Sequence, residues 1–361
     1  MSTPSALAGP ATLATVAKQT DTVLARFLTR KVATAAAQHL PADVPKALRD
    51  FLGAGGKRIR PLLCAVGWHA ADGSEQVPAP VVQVAASLEM FHAFALIHDD
   101  LMDDSETRRG RPTVHCALAA ARQSSAPTTA ERFGANAAIL VGDLALAWSD
   151  ELLHTAGLTP AQFAVVLPLI DAMRTEVMYG QYLDLLATGH PGRDVEAAMR
   201  IVRYKTARYT IERPLHIGAA LAGADTRLRD ALSAYALPVG EAFQLRDDLL
   251  GTYGHPDRTG KSTLDDLRTG KATVLLAVAH ERATPAQLDL LHTLVGNDSL
   301  NEDHAAQIRT VLDATGARDT VEQMIQVRRA QAQCALERVP LPPPAADMLR
   351  QIARAVTERT S

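Results

Sequence analysis

Apolar and polar positions alternate along this chain with the period of an α-helix. Apolar residues recur three and four apart in ALRDFL (47–52), VVQVAASLEMFHAFALIH (81–98), AAILVGDLALAWSDELL (137–153) and VVLPLIDAMRTEVMYGQYLDLL (165–186). Start signals agree with the period. Thr159-Pro160-Ala161-Gln162 and Thr284-Pro285-Ala286-Gln287 each offer an N-cap threonine, a proline at the first helical position and a glutamine placed for a capping box. Ser299 followed by Glu302 predicts a third start of this kind. Strand-like alternation joined by Asn-Gly or Asp-Gly turns is missing between the helical runs. The expected fold class is therefore all-α.

Three segments break the pattern. Residues 1–15 are expected to be disordered, Arg122 to Thr129 to form a surface loop, and Pro340 to Pro344 to link to a final helix. None separates stretches of different composition, so residues 16–361 read as a single all-α domain of roughly ten or more helices.

Composition narrows the setting. The chain is 47% apolar and 21% charged with a net charge of -3, which suits a soluble globular protein and leaves no electrostatic footprint for nucleic acid. Cys64, Cys116 and Cys334 form no disulfide or zinc spacing and point to reduced thiols in the cytoplasm. The N-terminal run lacks the basic start of a secretory signal. The longest apolar stretch, Gly134 to Trp148, is too short for a bilayer and carries Asp143, so no stable membrane insertion is expected.

Candidate chemistry lies in two acidic motifs, HDDLMDDSE from His98 and RDDLLGTYG from Arg246, about 148 positions apart. On a helix, Asp103 lies four residues after Asp99 and three after Asp100, so the three carboxylates share a side. Like charges so placed destabilise a bare helix by about 0.2–0.5 kcal/mol per pair. An all-oxygen cluster of this kind suits Mg²⁺ or Mn²⁺, although the pattern also fits a solvated acidic helix end. Arg108, Arg109 and Arg111 follow within a dozen residues, and GGKRIRP supplies Lys57, Arg58 and Arg60 upstream. Acids and arginines gathered together suit a polyanion, with metals bridging one diphosphate to the carboxylates and arginines binding another. The glycine-lysine pair lacks the full P-loop pattern and follows no strand, which excludes a Walker-type nucleotide site.

Read in order, GGKRIRP, HDDLMDDSETRRGRP, GQYLDL, YKTARYT, QLRDDLLG and TGK resemble the trans-isoprenyl diphosphate synthase (polyprenyl synthetase) family, most of all its bacterial geranylgeranyl diphosphate synthases. The resemblance implies one large helical bundle of the isoprenoid synthase type with a deep central cavity between the aspartate motifs, and a homodimer. It implies condensation of isopentenyl diphosphate with dimethylallyl, geranyl or farnesyl diphosphate, using Mg²⁺ (three ions with substrate bound, replaceable by Mn²⁺). By position, Asp99, Asp100, Asp103 and Asp247 would ligate metal, with Asp248 in support. Arg108, Lys205, Lys261 and Lys271 would contact the allylic diphosphate. Lys57, Arg60, His92 and Arg109 would bind isopentenyl diphosphate, and Thr206 and Gln244 would lie beside the reacting carbon. Asp184 suits a structural hydrogen-bond acceptor as well as a site residue.

The physics agrees with those roles. Ionising an allylic C–O bond requires the leaving diphosphate to be neutralised, and water must be kept from the cation. In the family's mechanism the isopentenyl double bond then attacks and a proton departs to the released diphosphate. Phe91, Phe94 and Ala95 would form the floor of the tail pocket, since Ala95 and Phe91 lie one and two helical turns before Asp99. The family pattern of an aromatic five before that aspartate and a small residue four before implies a twenty-carbon product. A fifteen-carbon product is the alternative, because Phe91 adds bulk. A terpene cyclase would not need the Lys57, Arg60, His92 and Arg109 group, and a silent regulatory subunit is expected to have lost the first motif. Gly251 stands where a fuller second motif has an acid; if Asp247 carries the metal, Gly251→Asp is expected to change little.

Overall fold

A computed structural model describes residues 10–72, 76–122, 126–189, 192–254 and 263–357. Helices dominate the described residues, as the period requires. The chain divides into two compact units, Met1–Val166 with Ile217–Gly223, and Leu167–His216 with Ala224–Ser361.

The first unit contains α1 (Pro10–Ala37), α2 (Asp43–Gly53), α3 (Ile59–Asp72), α4 (Ala79–Met102), α5 (Val114–Ala120) and α6 (Pro127–His154). Helix α4 is apolar on nearly every face, and such a helix must be covered on all sides. It packs against α1, α3 and α6 and buries Val84, Leu88, Met90, Phe91 and Ile97. By length and composition α4 is apolar enough to cross a membrane, but most of it is buried inside the protein. At its far end the chain turns through β1 (Thr107–Arg108) and β2 (Arg111–Pro112). Their antiparallel pairing leaves Arg109 and Gly110 as a two-residue loop, with φ of 55° and 70°. Two successive positive φ values are the signature of a type I′ hairpin turn. The expectation that no hairpin interrupts the helices is thus corrected: Arg109 adopts the conformation for which Asn or Asp is the usual signal.

Helix α7 (Pro160–Ala187) begins before residue 167 and continues into the second unit. There follow α8 (Val195–Ile201), a π-helical segment (Val202–Glu212), α9 (Arg213–Leu221), α10 (Thr226–Tyr253), α11 (Asp265–Arg268), α12 (Val274–Arg282), α13 (Pro285–Leu294), α14 (Glu302–Ala314), α15 (Ala317–Glu337) and α16 (Pro343–Thr357). Helix α10 packs against the π segment, α15 and α16. Leu245 and Leu249 on α10 join a core with Leu276, Leu291, Ile308 and Val321. Arg246 ties the same helix to Glu322 at 2.6 Å and to the Thr357 carbonyl at 3.1 Å.

Local signals fare differently. Thr159 and Gln162 exchange capping-box hydrogen bonds, as do Thr284 and Gln287. The third start is shifted: Asn301, whose side chain accepts from the His304 amide, caps α14, while Ser299 donates to Asn297. The amide oxygen of Asn301 reaches the free N–H groups that Ser299, two residues earlier, cannot. Residues 10–15, expected to be disordered, are helical, with Pro10 at the first position of α1. Residues 1–9 lie outside the described residues. The linker into α16 is shorter than the proline run suggests, because Pro343 and Pro344 already open the helix, where a missing N–H costs nothing.

Candidate active site

In the first unit, α4 ends in acids. Asp99 and Asp100 lie in its last turn, Asp103 is the C-cap, and no basic residue occupies that turn. The carboxyl end of a helix is already partly negative, so acids there need a compensating cation. The Asp103 amide donates to the Asp99 carbonyl at 2.9 Å, which keeps these residues one turn apart. Arg108, delivered by β1, forks onto Asp100 at 2.7 and 2.8 Å through Nε and reaches Asp99 at 3.4 Å. Asp100 is 1% exposed, so the pair is shielded from water. Burial opposes the charge on Arg108, but the Asp100 hydrogen bonds and carboxylate charges overcome it and raise its pKa.

The glycine-rich turn before α3 is fastened by Arg58. Its side chain donates to Asp21 at 2.7 Å, Glu89 at 2.8 Å and the Leu52 carbonyl at 2.7 Å, joining α1, α4 and α2. Arg58 is not among the site residues that the resemblance implies, and its buried side chain serves as this fastener. Arg109 donates to the Gly55 carbonyl, and its guanidinium lies 3.0 Å from where a side chain on Gly56 would begin. The turn is glycine because its backbone runs at φ of 87° at Gly55 and 147° at Gly56, and the arginine rests against the second. His92 is held well below the ordinary histidine value by burial first, then by the charges of Arg60, Arg109, Arg108 and Arg58. Burial and the neighbouring Arg58 and Arg108 also lower Arg109, despite Glu89. The site therefore gathers a neutral imidazole and several guanidiniums whose mutual repulsion favours an anion. Phe91 and Phe94 stack with centroids 5.2 Å apart and a tilt of 46°, with Phe91 fully buried and Ala95 half-buried.

In the second unit, the π segment carries Lys205 and Thr206. π-Helical turns widen a helix and are frequent at functional sites. Two glycines let neighbours approach it: a Cβ at Gly180 on α7 would meet the Lys205 amide nitrogen at 2.4 Å, and one at Gly240 on α10 would meet the Ala207 Cα at 2.4 Å. Glu176 on α7 clamps Arg208 at 2.7 Å and Arg213 at 2.6 Å. Burial would raise Glu176, but hydrogen bonds and charge from Arg213 and then Arg208 hold it below the usual carboxylate range. Lys205 donates to Asp184 at 2.6 Å, so Asp184 fixes the position of that ammonium. Thr206 donates to Gln244 at 2.6 Å, and the Gln244 amide donates to Asp248 at 2.8 Å. Lys271 lies 3.7 Å from both Asp248 and Asp266. Burial pushes Asp248 up to about 6, against the pull of Lys271 and Gln244. Lys261 lies outside the described residues.

Carboxylate oxygens are the hard donors that Mg²⁺ prefers. Among the described residues no three His, Cys, Asp or Glu side chains converge as a closed metal cage. Mg²⁺ binds through one or two carboxylates and fills its shell with water and phosphate oxygens. The acids and guanidiniums of the first unit, and the acids and lysines of the second, thus fit a metal-bound diphosphate.

Comparison with known proteins agrees. The polyprenyl synthetase family model matches residues 42–312. A geranylfarnesyl diphosphate synthase from Aeropyrum pernix is 32% identical over 304 residues, 83% of this chain and 89% of that protein. A (2E,6E)-farnesyl diphosphate synthase from Mycobacterium tuberculosis is 32% identical over 307 residues, 84% of this chain and 80% of that one. The crystal structure of a geranylgeranyl pyrophosphate synthase from Corynebacterium glutamicum, complexed with isoprenyl diphosphate and magnesium, superposes with a TM-score of 0.90 at 41% identity, covering 95% of this chain and 98% of that one. With its acidic helix ends, its arginine cluster and these likenesses, the chain belongs to the polyprenyl synthetase family and is a prenyltransferase.

Proposed function

We propose that this prenyl diphosphate synthase condenses isopentenyl diphosphate with an allylic diphosphate to give geranylgeranyl diphosphate. The observation that carries the reading is Arg108 held on Asp100 and Asp99 at the acidic end of α4, with His92 kept below its ordinary pKa by burial and by the charges of Arg60, Arg109, Arg108 and Arg58. An arginine cluster next to a carboxylate cluster suits two diphosphates bound in different ways.

When bound, Mg²⁺ supplies charge neutralisation for a departing diphosphate. We assign three ions, with Mn²⁺ as a substitute. Asp99, Asp100 and Asp103 are the metal-holding residues of the first unit, and Asp247, supported by Asp248, those of the second. Lys57, Arg60, His92 and Arg109 hold isopentenyl diphosphate, with the imidazole acting as a neutral hydrogen-bonding group. Arg108, Lys205, Lys261 and Lys271 hold the allylic diphosphate. The allylic C–O bond breaks with its electron pair leaving on the diphosphate, and the isopentenyl double bond forms the new C–C bond. The proton lost from the adjacent carbon passes to the released diphosphate. Thr206, held by Gln244, places an uncharged oxygen beside the cation.

Chain length follows from α4. Ala95 leaves room one turn below Asp99, while the stacked Phe91 and Phe94 stop the tail at twenty carbons. A fifteen-carbon product is the second reading, since Phe91 is fully buried against Phe94. Purified protein given Mg²⁺, isopentenyl diphosphate and each allylic primer is expected to stop at twenty carbons, as sized by chromatography. Phe91→Ala and Phe94→Ala are expected to lengthen the product; unchanged length in both would remove the floor assignment. No elongation with any primer would refute the synthase reading. We further propose a cytoplasmic homodimer built from one helical domain per chain. The exposed Ile139, Leu140 and Leu144 on α6 form an apolar face suited to a second copy.

A further inference from the structure

Position 251 is glycine, and the space above it is taken. A Cβ built on Gly251 would lie 2.4 Å from Oδ2 of Asp266 and 3.3 Å from its Cγ. The carboxylate standing over the last place of the second acidic motif therefore comes from α11, fifteen residues later in the chain. Lys271 lies 3.7 Å from Asp266 and 3.7 Å from Asp248, and Asp248 is in turn held by Gln244 at 2.8 Å. The Lys271 amide also donates to the Asp266 carbonyl at 3.0 Å, closing a tight turn that keeps the two residues together.

Resting on the synthase reading, we propose that Asp266 is a positioning residue that supplies the carboxylate absent at position 251 and holds the Lys271 ammonium toward Asp248. Gly251 and Asp266 are one functional unit: the glycine is small so that the aspartate can enter. The expectation that Gly251→Asp changes little is accordingly revised. A second carboxylate there displaces Asp266 and adds like charge beside Asp247 and Asp248. With Asp266 removed, a carboxylate on residue 251 would start from the volume Asp266 now fills.

Three variants test the coupling: Asp266→Ala, Gly251→Asp and the double variant. Asp266→Ala is expected to weaken binding of inorganic diphosphate with Mg²⁺, read by titration calorimetry, and to raise KM for the allylic primer by about fivefold with a smaller change in kcat, the size of a partly exposed ion pair. Gly251→Asp alone is also expected to weaken diphosphate binding. The double variant is expected to bind and turn over better than Asp266→Ala, because the carboxylate is restored from the other side. Thermal melts of all three show whether each is folded, and Asp266→Asn, which keeps the shape but not the charge, replaces any variant that is not. Wild-type affinity in Asp266→Ala, or a double variant as poor as the two single losses multiplied, would overturn the proposal. Failure of the wild-type protein to elongate any primer would instead refute the synthase reading.

Discussion

The two acidic helix ends solve one problem in different ways. At the end of α4, Asp100 is 1% exposed and gripped by two guanidinium nitrogens of Arg108. One turn before the end of α10, Asp248 is also buried, but its partners are a neutral amide at 2.8 Å and a lysine at 3.7 Å. A planar guanidinium in direct contact is a fixed counter-charge, whereas an ammonium at that distance is adjustable. The first cluster is thus built rigid by its own hairpin, and the second is tuned by residues that reach it from α11 and beyond. In the second, burial pushes Asp248 up to about 6.

The largest expected effect concerns turnover. Asp99→Ala and Asp247→Ala should each lower kcat by about a hundredfold or more, the scale of losing one preorganised electrostatic contact in a site. Near-normal steady-state rates in Asp247→Ala would show that only the α4 cluster carries metal and would end the parallel between the two.

A smaller effect separates the clusters by stability. Arg108→Ala leaves Asp100 buried without its counter-charge and should cost about 3 kcal/mol. Lys271→Ala removes a looser, partly exposed pair and should cost about 1 kcal/mol or less. Urea unfolding of both variants measures the difference, and equal losses would erase the distinction between rigid and adjustable.

The smallest effect is in pH, where the two regions have opposite signs. His92 is depressed in the folded protein, so the unfolded chain takes up its proton first, and stability is lost as pH falls below the ordinary 6.5. Asp248 is raised to about 6 from 3.8, so the folded protein holds its proton longer. That contribution is complete below about pH 4 and is lost as pH rises to about 6. His92→Gln should flatten the acid-side loss and Asp248→Asn the opposing gain, both read from chemical denaturation between pH 4 and 7 in the absence of metal. Parallel pH profiles in the two variants would contradict the assigned shifts.

Much of the fold was legible because helices are local. Capping residues at Thr159 and Thr284 act within one turn, so their meaning survives without the rest of the chain. The hairpin at Arg109-Gly110 was not legible, because an arginine with positive φ is stabilised by its contact with the Gly55 carbonyl, 54 residues away. Of the candidate site, the acids and the cations near His92 are the residues that spacing and resemblance single out. Asp184 suits a structural acceptor and a site residue equally in the sequence, and its contact with Lys205 at 2.6 Å is compatible with both.

By itself, the sequence determined an all-helical chain, two acidic helix ends, and the cations to go with them. Helical period and one-turn spacing are properties of neighbours, and neighbours are what a sequence records. Tertiary structure decided how each charge is used: Arg58 as a fastener, Arg108 as a clamp on Asp100, and Asp266 as the carboxylate above Gly251. Those outcomes depend on burial and on distances between residues well apart in the chain, where a carboxylate 2.6 Å from a cation and one exposed to water are the same letter.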